Sequence, residues 1–457
     1  MKYKNYLLPT FFFFFAAPSL IAMCTMFIRE PRPIFVKAPD LVRTDKGLYN
    51  ESSRVIIVRD ERHTVMGISS DYQGNYQNFA MIVPVPQVLQ REQINIGDKK
   101  IFDKLGEFTS PRYIESFDAN PCQRGNFLRN GAQKANESAD RSTPTASIQD
   151  IPKTSLGIKV EASYSIGEYK IQILSAKDSQ GLEVWLRQNQ YSLPKGASKA
   201  LEPYIKQKMK FFLAKVNLKK SLQSGRNFLR PLQFAFDSEK FMLPIRLGTV
   251  NAKHEQELLA YIFSKNGRVE ASNYRTMPLP SGQQLPYAIK NDFANFYKKM
   301  FQYQATQKKN RAVFTEYFGK ANECTGSHCT GKNLSKQDLR SLGVYWMNAP
   351  DFGIQPEAYV TRLHIRYTKE SFPEDLMLQE TSDTQTVVTS YKITKPWSGK
   401  NTCSAMSTYQ SKVKSRQKQA MANLQNLTGS SEINFTSPSR QTPNKNTGEK
   451  WWKKIWN

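Results

Sequence analysis

A polar loop between two apolar strands holds the first residues that could do chemistry. In the stretch SSDYQGNYQNFAMIVPVP, residues 69–86, Asp71 precedes a glycine-broken loop and an apolar run that ends at two prolines. A carboxylate there could act as a general acid or base if a second titratable group with a different pKa lay beside it. The candidates for that second group are Asp60, Glu380 and His364.

The same loop also has a purely structural interpretation, which the residue types favour. Asp71 and Gln73 can hydrogen-bond to their own backbone in a turn, and Gly74 can supply a positive φ. The sequence contains no Gly-x-Ser-x-Gly elbow, no His-Glu-x-x-His motif and no phosphate-binding Gly-Lys-Ser or Gly-Lys-Thr loop. Hydrolysis by paired carboxylates therefore stands as the alternative to a non-enzymatic role.

The cysteines indicate disulfide chemistry. The five are Cys24, Cys122, Cys324, Cys329 and Cys403. The short turn CTGSHC predicts a bond between Cys324 and Cys329. A metal site that includes His328 is the alternative, but no fourth ligand is visible, so we predict no metal and no other cofactor. The other three cysteines allow one further bridge, whose partners the spacing does not define.

The N-terminal segment predicts export. Lys2 and Lys4 form a positive region, residues 11–21 are apolar, and Ala22 offers a small residue for cleavage, as in a signal peptide over 1–22. Acylation of Cys24 is an alternative, although lipid attachment favours a smaller residue than Met23 before the cysteine. We therefore expect a periplasmic or extracellular protein without a transmembrane helix, and peripheral attachment to a membrane is compatible with this location.

The charge of the chain favours anionic partners. Its 65 basic and 39 acidic residues give a net charge of +26, which attracts an anionic envelope polymer or lipid headgroups. Nucleic acid does not suit an exported protein. The chain ends in WWKKIWN, whose interface-forming residues are Trp451, Trp452, Lys453, Lys454 and Trp456. These residues suit a membrane interface, while docking of the tryptophans on the protein itself is the alternative. No oligomeric state follows.

Hydrophobic periodicity gives the organisation of the chain. We predict a β-rich part over 23–123, a disordered insertion or linker over 124–153, a main α+β part over 154–427, and a flexible tail over 428–457. Four short runs, LRPLQFAF, FMLPIRLGTV, QELLAYIFSK and GRVEASNY, indicate strands. The predicted fold is α+β, with mixed, mainly antiparallel sheets and packed helices in one large or two intimately packed domains.

Local signals place several of these elements. Asp178 can cap the helix SQGLEVWLRQN, and Ser335 with Asp338 resembles a capping box. The run YVTRLHIRYT alternates, which places Arg362 and His364 together on one face of a strand.

Long blocks of the sequence resemble a known family. They include LYNESSRVIIVRD, VEASYSIGEYKIQILSAKDSQGLEVWLRQNQYSLPKGASKALEPYIKQ and YVTRLHIRYTKESFPEDLMLQET. In order along the chain these blocks look like the bacterial domain-of-unknown-function 2330 family. The resemblance implies an exported bacterial protein and carries no activity with it. We therefore expect an exported, envelope-associated component with a non-enzymatic binding or assembly role, with a periplasmic hydrolase using paired carboxylates as the alternative.

Overall fold

The computed structural model describes residues 26–29, 50–72, 79–122, 157–189, 191, 193–216, 229–250, 255–323, 333–348, 356–399 and 403–430. The strands in these ranges are β1 Met26–Arg29, β2 Asn50–Asp60, β3 His63–Tyr72, β4 Phe79–Val85, β5 Ile94–Ile96, β6 Arg112–Phe117, β7 Ile158–Ile166, β8 Tyr169–Ala176, β9 Lys210–Val216, β10 Leu232–Asp237, β11 Met242–Leu243, β12 Gln256–Ser264, β13 Val269–Ala271, β14 Arg275–Pro278, β15 Gln284–Leu285, β16 Ala312–Lys320, β17 Tyr359–Tyr367, β18 Leu376–Glu380, β19 Val387–Val388 and β20 Ser390–Lys395. The helices are α1 Lys99–Thr109, α2 Ser179–Gln188, α3 Ala197–Lys206, α4 Arg246–Thr249, α5 Phe293–Gln307, α6 Lys336–Ser341 and α7 Ala405–Thr428.

Helix caps form where the sequence predicts them. The Asp178 carboxylate accepts a hydrogen bond from the Gly181 N–H at the start of α2. Ser335 and Asp338 exchange hydrogen bonds across the first turn of α6 and form a capping box. The prediction of a single strand over FMLPIRLGTV is wrong, because this run divides into the two-residue strand β11 and the short helix α4. Pro244 lies between them and has no N–H to donate to a strand ladder.

Two large sheets dominate the architecture. One has five antiparallel strands in the order β1-β4-β9-β8-β7. The other has nine strands in the order β14-β16-β17-β12-β2-β3-β10-β5, with β19 paired to β16. In this second sheet β2 pairs with β12 in parallel, and β14 with β16. Two three-stranded sheets, β11-β18-β13 and β15-β20-β6, complete an α+β fold with mixed, mainly antiparallel sheets, as predicted.

The main core lies between the two large sheets. Val55 and Ile57 of β2 pack in one buried cluster with Ile171 of β8 and Phe212 of β9. The outer face of the five-stranded sheet packs on α2 and α3, and the outer face of the nine-stranded sheet packs on α1 and α6. A further cluster joins α5 and α7 to β20. The strands before and after the predicted insertion therefore share one core, while the insertion itself, 124–153, lies outside the described residues.

A disulfide joins Cys122, in the loop after β6, to Cys403, just before α7. It is the further bridge that the cysteine count allowed. The predicted Cys324–Cys329 bond, the signal peptide and the segment Trp451–Trp456 lie outside the described residues. Among the helices in the described ranges, none is both long enough and apolar enough to cross a membrane.

Candidate binding cleft

A cleft of about 430 Å³ opens where one end of each large sheet meets the other. Its volume falls in the range of about 300–1,000 Å³ that is typical of small-molecule sites. The lining residues are Arg62, Met66, Pro84, Pro86, Gln87, Gln207, Met209, Phe236, Asp237, Ser238, Glu239, Lys240, Met242 and Pro244. Two of these, Pro84 and Pro86, are the prolines that end the apolar run after the Asp71 loop.

The floor of the cleft is apolar and its rim is polar. Met66 and Phe236 are buried in the floor, and Met209 and Met242 are half-buried beside them. Methionine side chains are flexible and polarizable, so they adapt to the shape of an apolar ligand. The charged residues of the lining are exposed at the mouth. This division suits a ligand with an apolar body and a polar end.

Buried Arg59 holds the two sides of the mouth in place. Its guanidinium donates to Thr64 Oγ1 at 2.7 Å and to the Ser238 carbonyl at 2.8 Å. It therefore ties the β2–β3 hairpin to the loop after β10, and it also lies over the ring of Phe241. Burial lowers the pKa of Arg59, but an arginine remains charged at any physiological pH.

The charges at the rim are balanced. Arg62 Nε lies 3.1 Å from Glu239 Oε1, and Lys240 donates to Gln207 at 2.6 Å. Asp237 Oδ1 lies 2.6 Å from Nδ1 of His63, which is the strand partner of Asp237. With two cations and two carboxylates in the lining, the rim favours a neutral or zwitterionic group over a strongly anionic one.

Two of the predicted catalytic candidates contact the turn after β12. Asp60 Oδ2 lies 2.6 Å from Lys265 Nζ and accepts a hydrogen bond from the Tyr345 hydroxyl. Burial, with a smaller contribution from Asp60, raises the pKa of Tyr345 well above its ordinary value. Glu380 accepts a hydrogen bond from the Asn266 N–H at 2.6 Å. Both carboxylates therefore stabilise this turn, and neither lines the cleft.

The other two candidates do not join this pair. His364 is opposite Leu259 on β12, five residues before the end of that strand, and so lies roughly 16 Å from the turn at about 3.3 Å per residue. Asp71 is the second-last residue of β3, and its side chain lies outside the described residues. Within the described ranges, no group of three His, Cys, Asp or Glu side chains is placed to hold a metal ion.

His364 instead belongs to a buried ionic network on the outer face of the nine-stranded sheet. Glu316 Oε1 lies 2.5 Å from His364 Nδ1, and Glu316 Oε2 lies 2.5 Å from Arg362 Nε. Glu257 Oε2 lies 3.7 Å from His364 Nε2. Tyr297 of α5 donates its hydroxyl proton to Glu316.

A β-bulge positions Glu316 in this network. The register between β16 and β17 shifts between Thr315 and Tyr317, so Glu316 is the extra residue. A bulge re-aims side chains, and here the shift allows the neighbours Glu316 and Tyr317 both to lie on the face that carries Arg362. Phe301 of α5 stacks on His364 at a centroid distance of 3.4 Å and closes the network from outside.

The network keeps its charges despite burial. Burial alone would lower the pKa of His364, but the nearby Glu316 and Glu257 outweigh burial and raise it. Burial would raise the pKa of Glu316, but Arg362 and His364 outweigh it and lower the pKa. Because helix α5 excludes water from these groups, the arrangement stabilises the fold and has no access for a substrate.

Sequence reasoning missed the residues that shape these two regions. Alternation placed Arg362 and His364 on one face, but it could not reveal Glu316, which breaks the alternation of its own strand. His63 was visible only as one of four histidines, and its partner Asp237 lies 174 residues away. An arginine such as Arg59 beside a buried apolar run is a local signal of a buried hydrogen-bonding centre.

Comparison with known proteins gives one match. A family model described as an uncharacterized protein conserved in bacteria, DUF2330, matches residues 40–379. The matched segment contains the cleft, the ionic network and every strand of the two large sheets except β1 and β19, and it ends before α7. No curated protein and no solved structure matches the chain.

Proposed function

Since the chain belongs to the uncharacterized bacterial family DUF2330, whose description gives no activity, we propose a function from the geometry of the cleft. We infer that the protein is an exported component of the bacterial cell envelope that binds a ligand without transforming it. The ligand has an apolar body, which enters the cleft between the sheets, and a neutral or zwitterionic polar end, which meets the rim.

The apolar floor beneath a charge-balanced rim carries this proposal. The carboxylates of the cleft lining, Asp237 and Glu239, are paired with His63 and Arg62. General acid–base work needs a group that changes its protonation state beside the reacting atom. The rim residues are instead arranged as hydrogen-bonding and ionic partners for a bound polar group.

The envelope location has separate support. Residues 1–22 have the pattern of a signal peptide, and the Cys122–Cys403 disulfide suits an oxidising compartment. The net charge of +26 favours an anionic envelope polymer or lipid headgroups as the partner of the protein exterior.

A titration with decylphosphocholine, below the concentration at which it forms micelles, tests the binding proposal. We expect saturable binding of one molecule per chain by calorimetry, and loss of that binding in Met242→Trp, which fills the cleft. Met421→Trp places the same ring on the exposed surface of α7 and is the matched control. Equal binding by both variants would contradict the assignment of the cleft.

Hydrolysis by paired carboxylates is the second candidate, because Asp60 and Glu380 contact consecutive residues of one turn. If Asp60 stabilises the turn after β12, we expect Asp60→Asn to lower the free energy of unfolding without changing decylphosphocholine binding. An esterase or glycosidase activity that Asp60→Asn and Glu380→Gln both abolish, in variants that remain folded, would favour the hydrolase.

A further inference from the structure

Three methionines line the binding cleft. Met66, Met209 and Met242 come from separate elements of the chain, and each contributes to the lining. Met66 is 2% exposed, whereas Met209 and Met242 are half-buried and so remain in contact with solvent. The sulfur of a methionine is soft and polarizable, and oxidants convert it to a sulfoxide. The cleft therefore presents two oxidisable side chains at its apolar surface.

The turn that ends α3 fixes the backbone of Met209. The Lys208 N–H donates to the Ile205 carbonyl at 2.8 Å, and the Met209 N–H donates to the Tyr204 carbonyl at 3.0 Å. Lys208 has a positive φ of 57°. These features form a Schellman motif, in which the residue at the position of Met209 commonly makes an apolar contact. The backbone of Met209 is therefore held in place while its side chain lines the cleft.

Met242 reaches the cleft from a different sheet. It belongs to β11, where it pairs with Met377 of β18, and Pro244 ends this short strand. Met209 directly precedes β9 of the five-stranded sheet, whereas β11 is part of a three-stranded sheet. A ligand that fills the cleft must therefore be compatible with the chemistry of both side chains.

The apolar part of the lining cannot satisfy a sulfoxide oxygen. Pro84, Pro86 and Pro244 have no backbone N–H to donate, and the ring of Phe236 is apolar. A polar group that is buried without a hydrogen bond costs free energy. In the empty cleft, water can solvate a sulfoxide oxygen, but the apolar body of a ligand displaces that water. Oxidation therefore opposes the binding of an apolar ligand.

Several polar side chains of the lining already have partners. Lys240 donates to Gln207, and the Gln207 amide donates to the Pro203 carbonyl at 3.1 Å. Ser238 Oγ donates to the Lys240 carbonyl at 3.0 Å. These hydrogen bonds must break before the donors can bind a sulfoxide, so the rim does not offset the cost.

We propose that Met209 and Met242 form a reversible oxidation site that switches off ligand binding in the cleft, an inference that rests on the binding function proposed above. Hydrogen peroxide is the oxidant. The thioether sulfur attacks one peroxide oxygen, an S–O bond forms as the O–O bond breaks, and the other oxygen leaves as water. The sulfur loses two electrons and the peroxide gains them. A dithiol reductant reverses the step, because its two thiols form a disulfide and the sulfoxide oxygen leaves as water.

The test treats the full mature chain with hydrogen peroxide and then titrates it with decylphosphocholine below the concentration at which micelles form. We expect mass spectrometry to find sulfoxide at Met209 and Met242 but not at the buried Met66, and binding to weaken roughly tenfold or more. Methionine sulfoxide reductase with a dithiol should restore binding. Bound decylphosphocholine should slow oxidation at both cleft residues but not at Met421, which is exposed on α7.

Leucine variants assign the effect to the cleft. In the double variant Met209→Leu and Met242→Leu, the protein after peroxide is compared with the same variant before peroxide, and we expect its affinity to change by less than about twofold. Met421→Leu keeps both cleft sulfurs and is the matched control, so its binding should weaken as that of the wild-type protein does. Equal losses in the double variant and the wild-type protein would overturn the proposal.

The remaining outcomes separate failure of the switch from failure of the binding function. Unchanged binding by protein that carries both sulfoxides would refute the switch and leave the binding function intact. Oxidation of Met421 without oxidation of Met209 and Met242 would also refute the switch, as would a loss of the circular dichroism spectrum together with binding. Absence of decylphosphocholine binding before oxidation would refute the binding function and the switch that depends on it.

Discussion

Glu316 and His364 form a short ion pair inside the protein, with Glu316 Oε1 2.5 Å from His364 Nδ1. Glu316 is fully buried and His364 is 1% exposed. Taking two charges out of water is costly unless their remaining polar atoms also find partners. Arg362 and Glu257 place opposite charges beside the pair, and Tyr297 donates a hydrogen bond to Glu316, so the pair depends on residues from β12, β16, β17 and α5 at once.

Removing one member of this network should be strongly destabilising. In Glu316→Gln the positive charges of His364 and Arg362 remain buried without their shared carboxylate, and we expect a loss of about 3–5 kcal/mol in the free energy of unfolding. Glu183→Gln breaks an exposed helical pair with Arg187 and should cost less than about 1 kcal/mol. Urea denaturation measures both. Similar losses in the two variants would contradict the network.

The same network predicts how stability depends on pH. The folded-state pKa of His364 lies above its ordinary value of 6.5, so its stabilising contribution is complete below about pH 6.5 and is lost as pH rises through the raised pKa. The folded-state pKa of Glu316 is lowered from 4.5, so its contribution is complete above about pH 4.5 and is lost at lower pH. The network should therefore stabilise the fold most between these values.

The measurement is the difference in unfolding free energy between the wild-type protein and His364→Gln across this pH range. We expect that difference to be largest near pH 5.5 and to shrink as the solution becomes alkaline. A difference that stays constant from pH 5 to 9 would show that His364 does not change its charge in the folded protein.

Local sequence signals predicted much of the fold, because they act over a few residues. The cap of α2 by Asp178, the capping box of α6 and the alternation of β17 each follow from spacing alone. The order of the strands in the sheets does not follow from local signals. The parallel pairing of β2 with β12 joins segments about 200 residues apart, and neither segment contains a sequence feature that identifies the other.

The candidate site was less predictable from local sequence signals than the fold was. Titratable residues could be selected by type, yet Asp60, Glu380 and His364 are used to stabilise a turn and a sheet face. The cleft arises instead from methionines, prolines and a phenylalanine, which are indistinguishable from core residues in the sequence. Only the meeting of two sheet ends places them around a cleft.

The Cys122–Cys403 disulfide should stabilise the fold and hold the start of α7. It closes a loop of 281 residues, and replacing both cysteines by serine should lower the free energy of unfolding by about 2–5 kcal/mol. Reducing agent should lower the stability of the wild-type protein towards that of the variant. If the variant unfolds at the urea concentration of the oxidised wild-type protein, the bond contributes nothing to stability.

The C-terminal segment should strengthen attachment to anionic membranes. Deleting Trp451–Asn457 removes three indoles, which sit at the level of lipid headgroups, and two lysines, which meet anionic lipid. We therefore expect several-fold weaker binding to vesicles that contain phosphatidylglycerol. Replacing only Lys453 and Lys454 by glutamine keeps the indoles and should give a smaller loss, roughly that of two surface charges.

The competing interpretation of this segment makes the opposite pair of predictions. If Trp451, Trp452 and Trp456 dock on the protein itself, the deletion lowers the free energy of unfolding and leaves vesicle binding unchanged. Measuring both vesicle binding and the free energy of unfolding of the deletion variant therefore distinguishes a bilayer contact from a contact within the protein.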